Sequence, residues 1–475
     1  MAVSANRSAR NRADHKITSE FVDADAAQMP HVALPIPGPN SRAIFEREQS
    51  YIAPGRQRIS LLAGLAFDHG SGATLTDADG NVYLDFFAGV AVASLGHAHP
   101  AMTQALARQA GRLTVGTFAT PERAEAFELL AKAAPAGLRR AHLYSGGAEA
   151  VEAALRLARS VTKKHEVVSF WGGFHGKTGG VLGLIGDESK QGYGPLPGGQ
   201  YTVPYADCYR CAFKLNYPSC GLACVDFARE QIKRASAGAV AAIIAEPMQG
   251  TAGNVIPPDD WLPAIRSVAN ENGAMLIADE MITGFARTGK MWGVEHSGAT
   301  PDIVTAGKGM GSGYPVSAVL MGDAISRAEP FAKPSASSSS YGGNPLAAVA
   351  VAETLKAIAR EKLIENSRDV GAMLLGKLQV LAEKYEFVGD VRGRGLLLGM
   401  DLVSDRASKR PLSRPVMERI FQEALRRGLL LMGYFPRVRI NPPLVISMAQ
   451  AEAGAAILDE VFGWVADHLD WRAES

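Results

Sequence analysis

Lys308 stands between Gly307 and Gly309, directly after the apolar run Asp302–Ala306 (DIVTA). A lysine in a glycine-flanked turn at the end of a buried strand has lost the usual solvated-surface role. Loss of water lowers its pKa, and the neutral amine is a good Schiff-base nucleophile. Three more apolar runs end in useful groups. Asp279-Glu280 follows Ala274–Ala278 (AMLIA), Glu246-Pro247 follows Ala241–Ala245 (AAIIA), and Gly146-Gly147-Ala148 follows Ala141–Ser145 (AHLYS) and opens a helical pattern. Singly, each has an ordinary reading: an acid after a strand can be a helix N-cap, and a glycine pair can be a plain tight turn. The glycine spacing is neither G-x-G-x-x-G nor a P-loop. Together, glycine amides at a helix N-terminus, two carboxylates and a lysine outline a site for an anionic cofactor carrying a cationic ring and an aldehyde.

These groups meet only if the runs lie side by side. From about residue 100 to 325 they alternate with helical patterns, and Val167–Phe170 (VVSF) and Val316–Met321 (VSAVLM) extend the series. Short continuous apolar runs between helices predict a mostly parallel sheet covered on both faces, where ligands bind beyond the C-terminal strand ends. The helix after Gly147 keeps Val151, Leu155 and Ala158 on one face. It places Glu149 and Glu152 early and Arg156, Arg159, Lys163 and Lys164 late, as the macrodipole prefers. Gly72–Phe87 reads as a hairpin around Asp79-Gly80-Asn81. After Pro345 come a long helix, the strand-like GLLLGMDLV and VRINPPLVIS, and an amphipathic helix near Pro415–Arg427 between them. The expected class is α/β, with a doubly wound, mostly parallel sheet in a large domain and a small α+β domain. The expected division is a loosely ordered segment at 1–30, the N-terminal part of the small domain at 31–95, the large domain at 96–345 and the C-terminal small domain at 346–475.

Composition narrows the function classes. The chain has 475 residues, 47% of them hydrophobic, and 49 Lys+Arg against 48 Asp+Glu leave a formal charge of +1. That balance gives no footprint for a nucleic-acid binder, and no run approaches the length of a membrane span. The start, MAVSANRSARNRADHK, has no apolar secretory core, and Glu20, Asp23 and Asp25 interrupt any transit-peptide pattern. All four cysteines lie between 208 and 224, which excludes a disulfide-stapled secreted scaffold and makes the cytoplasm the expected location. Their spacing, C-x2-C-x8-C-x3-C over Cys208, Cys211, Cys220 and Cys224, admits a zinc or iron–sulfur knuckle, or reduced thiols or a local disulfide. The short spacer, with Tyr209, Phe213 and Tyr217 as packing residues, favours the second reading, and no metal ligand is assigned. His97 and His99 read as turn residues, and no H-E-x-x-H occurs. Ser335–Ser340 (SASSSS) reads as a mobile loop before YGGNP.

The chain resembles the class III (omega-amino-acid type, 4-aminobutyrate/acetylornithine-like) pyridoxal-phosphate aminotransferases of fold type I. The resemblance runs from about Pro37 to the C-terminus. It rests on GHAHP (Gly96–Pro100), SGGAEAVEAA (Ser145–Ala154), GGFHGKT (Gly172–Thr178), AEPMQG (Ala245–Gly250), ADEMITGFARTG (Ala278–Gly289), GKGMGSGYP (Gly307–Pro315) and SYGGNP (Ser340–Pro345). It implies that Lys308 binds the cofactor's aldehyde and shuttles the substrate proton, and that Asp279 pairs with the pyridine nitrogen and so keeps the ring an electron sink. It further implies that Phe174 stacks on the ring, with His175 shaping the same wall, and that Gly147 and Ala148 give amides to the phosphate. Ser340 would reach the phosphate of a partner subunit, implying a homodimer, or a tetramer, with shared sites. Arg439 would grip a substrate carboxylate bidentately, and Glu246 would pair with Arg439 or release it.

Four positions depart from the family pattern. Ile282 stands where Gln is common, Gly146 where Ser or Thr is, Ser340 where Thr is, and Thr251 where the Glu of QGEGG is. They spare the lysine and the ring-pairing carboxylate but separate the chain from the housekeeping 4-aminobutyrate and acetylornithine enzymes. The function implied is amino transfer by a ping-pong cycle from an omega-amino acid or primary amine to a 2-oxo acid, pyruvate or 2-oxoglutarate. The nearer rival is a racemase, aminomutase or decarboxylating enzyme on the same fold; the farther is a non-catalytic binding protein.

Overall fold

The computed structural model describes residues 28–473; most of the segment expected to be loosely ordered, 1–30, lies outside them. The centre is a seven-stranded sheet. In spatial order its strands are Arg140–Tyr144, Ser317–Met321, Ile303–Ala306, Met275–Asp279, Val240–Ala245, Glu166–Phe170 and Gln200–Val203. Ser317–Met321 alone runs antiparallel to its neighbours; the remaining pairs are parallel.

Both faces are covered, and the apolar runs show why. Along Val240–Ala245, Ala242 and Ile244 join one core cluster while Ile243 and Ala245 join another. Ile277 and Leu276, Ile303 and Val304, and Val319 and Leu320 divide in the same way. Side chains alternate across a strand, so a strand apolar at every position has two buried faces. The helix Gly147–Thr162 fills one of them, burying Val151, Leu155 and Ala158. Gln200–Val203 has no apolar run in sequence because it is an edge strand with three half-buried residues.

The chain's two ends build the rest. Thr74–Asp77 and Val82–Asp85 form the expected hairpin, with Gly80 at φ +93° in the turn. Leu429–Leu430, far along the chain, adds in parallel to Val82–Asp85. A second sheet joins Val388–Arg394, Leu397–Asp405 and Arg437–Ile440. Val388–Arg394 escapes the sequence pattern because charged residues occupy it, with Arg392 bonded to Asp390 and Asp401. The helix Arg414–Arg426 covers the expected amphipathic stretch.

Candidate active site

Because these strands run in parallel, Ser145–Ala148, Gly172–His175, Glu246, Asp279 and Lys308 emerge along one edge of the sheet. Lys308 follows Ile303–Ala306 with φ +46°, a left-handed conformation that a lysine rarely adopts. Such strain persists where the surroundings over-determine it, as at functional sites. A Cβ on Gly307 would lie 2.6 Å from Met281 Sδ, so a larger residue there would push the Met281 side chain aside. Burial holds the Lys308 amine below its ordinary pKa; Arg439 adds to that, while Asp279 and Glu246 oppose it. The result favours a neutral, nucleophilic amine.

Asp279 is buried and held by three partners, with acceptor capacity left on Oδ2. Its Oδ1 accepts from Thr305 Oγ1 at 3.0 Å and Met281 N at 3.2 Å, and its Oδ2 lies 2.6 Å from His175 Nδ1. Burial alone would lower the pKa of His175, but its bond to Asp279 and the charges of Asp279 and Glu246 hold it above the ordinary value. His175 therefore aims Asp279 through its bond to the carboxylate. Thr305 was hidden as one polar residue in an apolar strand, which was the available signal. No spacing could reveal His175, because 104 residues separate it from Asp279.

One end of this edge is the N-terminus of the helix Gly147–Thr162. Glu149 Oε2 takes the amides of Ser145 and Gly146 at 3.0 and 3.4 Å, and Ser317 Oγ donates to Gly146 O at 2.8 Å. The first-turn amides of Gly147 and Ala148 have no acceptor within a helix and can take an anion. Gly176 brings the His175 loop onto this helix start, since a Cβ there would lie 2.4 Å from that of Ala148. The half-buried Phe174 is anchored by its amide, which donates to Glu246 Oε1 at 3.0 Å.

Glu246 is not paired with Arg439. Its other oxygen takes the Gly250 amide at 2.9 Å, and burial raises its pKa. Among the described residues Arg439 has no ion pair, and burial lowers its pKa. The expected carboxylate switch is therefore not closed; two backbone amides compete for Glu246. Arg439 is a half-buried guanidinium on the same edge of the site. Its strand is held on both sides: Arg437 Nη1 donates to Ala252 O at 2.7 Å, and Asn254 Nδ2 donates to Asn441 Oδ1 at 2.8 Å.

Ser340 is exposed on the bend before the helix Pro345–Arg360 and makes no hydrogen bond among the described residues. The serine loop is tied where Ser337 Oγ donates to Phe331 O and Tyr144 Oη donates to Ser337 O. Ile282 is buried against Ala91, Met248 and Leu397. His97 bonds Asp85 at 2.8 Å, and His99 caps the helix Pro100–Ala110.

A desolvated lysine, a triply held carboxylate and a free helix N-terminus fit pyridoxal phosphate. The sequence model of the family described as aminotransferase class-III matches residues 56–462. The chain belongs to the class III aminotransferases. It is 34% identical over 426 residues to an acetylornithine aminotransferase of Methanothermobacter thermautotrophicus, covering 89% of this chain and 99% of that protein. It is 32% identical to a leucine/methionine racemase of Thermococcus litoralis, covering 90% and 96%. Among solved structures it is similar to an amine transaminase from an uncultivated Pseudomonas species in its PLP-bound form, with TM-score 0.82, 32% identity, and 87% and 98% of the two chains covered. A class III aminotransferase on this fold is a pyridoxal-phosphate enzyme, which sets aside the non-catalytic reading. Among the described residues no helix is long and apolar enough to cross a membrane.

Proposed function

We propose that this class III aminotransferase moves an amino group from an omega-amino acid or simple primary amine to a 2-oxo acid, pyruvate or 2-oxoglutarate, in two half-reactions. Pyridoxal phosphate, when bound, supplies the aldehyde that takes up the amine and the ring that stores the electrons released at the substrate carbon. Lys308, its pKa lowered by burial, holds the cofactor and moves the proton. Asp279, aimed by His175 and Thr305, keeps the ring nitrogen protonated. Gly147 and Ala148 hold the phosphate and Phe174 covers the ring, while Ser340 reaches the phosphate of a second copy in a cytoplasmic homodimer.

The observation that carries the choice of acceptor is Arg439, a guanidinium set at the site with its pKa lowered by burial and with no ion pair among the described residues. A substrate carboxylate would complete it. Donors with and without a distal carboxylate would then use the same pocket in turn. A second reading, amino-acid racemisation, draws on the likeness to the leucine/methionine racemase. The test is to incubate the cofactor-loaded protein with 4-aminobutyrate, a longer omega-amino acid, a diamine or L-leucine, each with and without 2-oxoglutarate or pyruvate. Aldehyde or ketone formation that requires the oxo acid supports amino transfer. D-leucine formed without oxo acid overturns it in favour of racemisation.

A further inference from the structure

Between Val203, the last residue of the edge strand, and Ala223, the first of the helix Ala223–Ala235, the chain forms only turns. So long a stretch without regular structure is uncommon inside a compact domain and needs its own fastening. Cys208, Cys211, Cys220 and Cys224 all line one cavity of about 20 Å3, together with Phe213, Tyr217 and Leu222. None is in a disulfide, so the local pairing expected as one alternative is not formed.

Turns present the thiols in pairs. Lys214 N donates to Cys211 O at 3.0 Å, Cys220 N to Asn216 O at 2.9 Å and Ala223 N to Cys220 O at 3.2 Å. Lys214, Gly221 and Leu222 lie at φ +56°, +56° and +59°, the left-handed bends that fold each turn back. Cysteine pairs with two and three residues between their members, the second pair running into the start of the helix Ala223–Ala235, suit one tetrahedral thiophilic ion.

We propose that Cys208, Cys211, Cys220 and Cys224 form a tetrathiolate site for one Zn2+ ion that fastens this segment. As the side chains stand, no three His, Cys, Asp or Glu groups among the described residues converge on an ion position. Closure therefore turns the cysteines about χ1 into the cavity they already line. Each Zn–S bond replaces an S–H bond and releases one proton to solvent. The cysteine spacing suits a single tetrahedral ion, and the measurement below separates it from an iron–sulfur cluster.

The site is closed and structural, and its reach is mechanical. Asp207, beside Cys208, pairs with Arg437 at 2.9 Å, and Arg210 pairs with Asp401 at 2.6 Å. Lys409 Nζ donates to Tyr209 O at 2.6 Å. Arg437 lies two residues from Arg439 on one strand, so the fastened segment steadies the strand that bears the carboxylate-binding arginine. The zinc assignment itself does not depend on which amine is transferred.

The experiment uses the full chain loaded with pyridoxal phosphate and expressed with both zinc and iron supplied. Elemental analysis is expected to find one zinc per chain and no acid-labile sulfide, with zinc released in step with thiol titration by a mercurial. Cys211→Ser and Cys220→Ser are each expected to lose zinc while keeping the cofactor's visible band. Should both variants fail to fold, Co2+ exchanged into the wild-type protein decides: tetrahedral thiolate bands to the red of the cofactor are expected. Zinc far below one per chain with all four thiols freely reactive, iron with labile sulfide, or cobalt without thiolate bands overturns the proposal.

Discussion

His175 Nδ1 lies 2.6 Å from Asp279 Oδ2, and both side chains are 1% exposed. Asp279, which we propose faces the ring nitrogen of the cofactor, is thus a carboxylate already aimed by a residue that need not touch the ring.

His175→Asn keeps an N–H for Asp279 but cannot carry charge. Loss of a charge-assisted bond of about 1.5–3 kcal/mol is expected to lower kcat about tenfold or more with KM little changed, and to shift the bound cofactor's visible band. The raised pKa of His175 means that its charged form contributes stability fully below its ordinary value and loses it as pH rises through the raised one. Denaturation at several pH values is expected to show this loss in the wild type and not in the variant.

Arg439→Gln is expected to raise KM for a 2-oxo acid about 10- to 100-fold, the cost of a lost bidentate charge pair. Amines without a carboxylate are expected to react with unchanged affinity, as single-turnover absorbance would measure. Arg439→Lys is expected to restore only part, because an ammonium lacks the fork.

Glu280, the neighbour of Asp279, is buried and accepts from Gly293 N and Val294 N at 2.8 Å each and from Thr283 Oγ1. Burial raises its pKa from 4.5 to about 7 despite these bonds. The folded chain then binds a proton that the unfolded chain has released, so stability falls as pH rises from 4.5 through about 7. At about 1.4 kcal/mol per unit this slope amounts to about 3 kcal/mol. Chemical denaturation of Glu280→Gln is expected to show a flatter pH profile, with its deficit largest at acid pH.

The sequence made legible what depends on local pattern. Doubly apolar runs announced buried parallel strands, and the groups at their ends, Gly147, Glu246, Asp279 and Lys308, emerge along one edge for that reason. What it hid depends on pairing across the chain. Gln200–Val203 is a strand through its neighbour, and Val388–Arg394 is one because its charges are paired by Asp401. His175 is tied to Asp279 across 104 residues, and Glu246 to the Phe174 amide across 72 rather than to Arg439. The roles of Phe174, Ser340 and Arg439 came from family resemblance, not from periodicity.

The most direct measurement is the absorbance spectrum of the cofactor-loaded chain, wild type and Lys308→Ala, titrated with 4-aminobutyrate or another donor and then with 2-oxoglutarate or pyruvate. For the wild type the visible band is expected to give way to the near-ultraviolet band of pyridoxamine phosphate and to return on adding the oxo acid. Lys308→Ala is expected to lose that cycle by at least about a thousandfold. A visible band that survives every donor, or a cycle that proceeds undiminished without Lys308, would contradict the account.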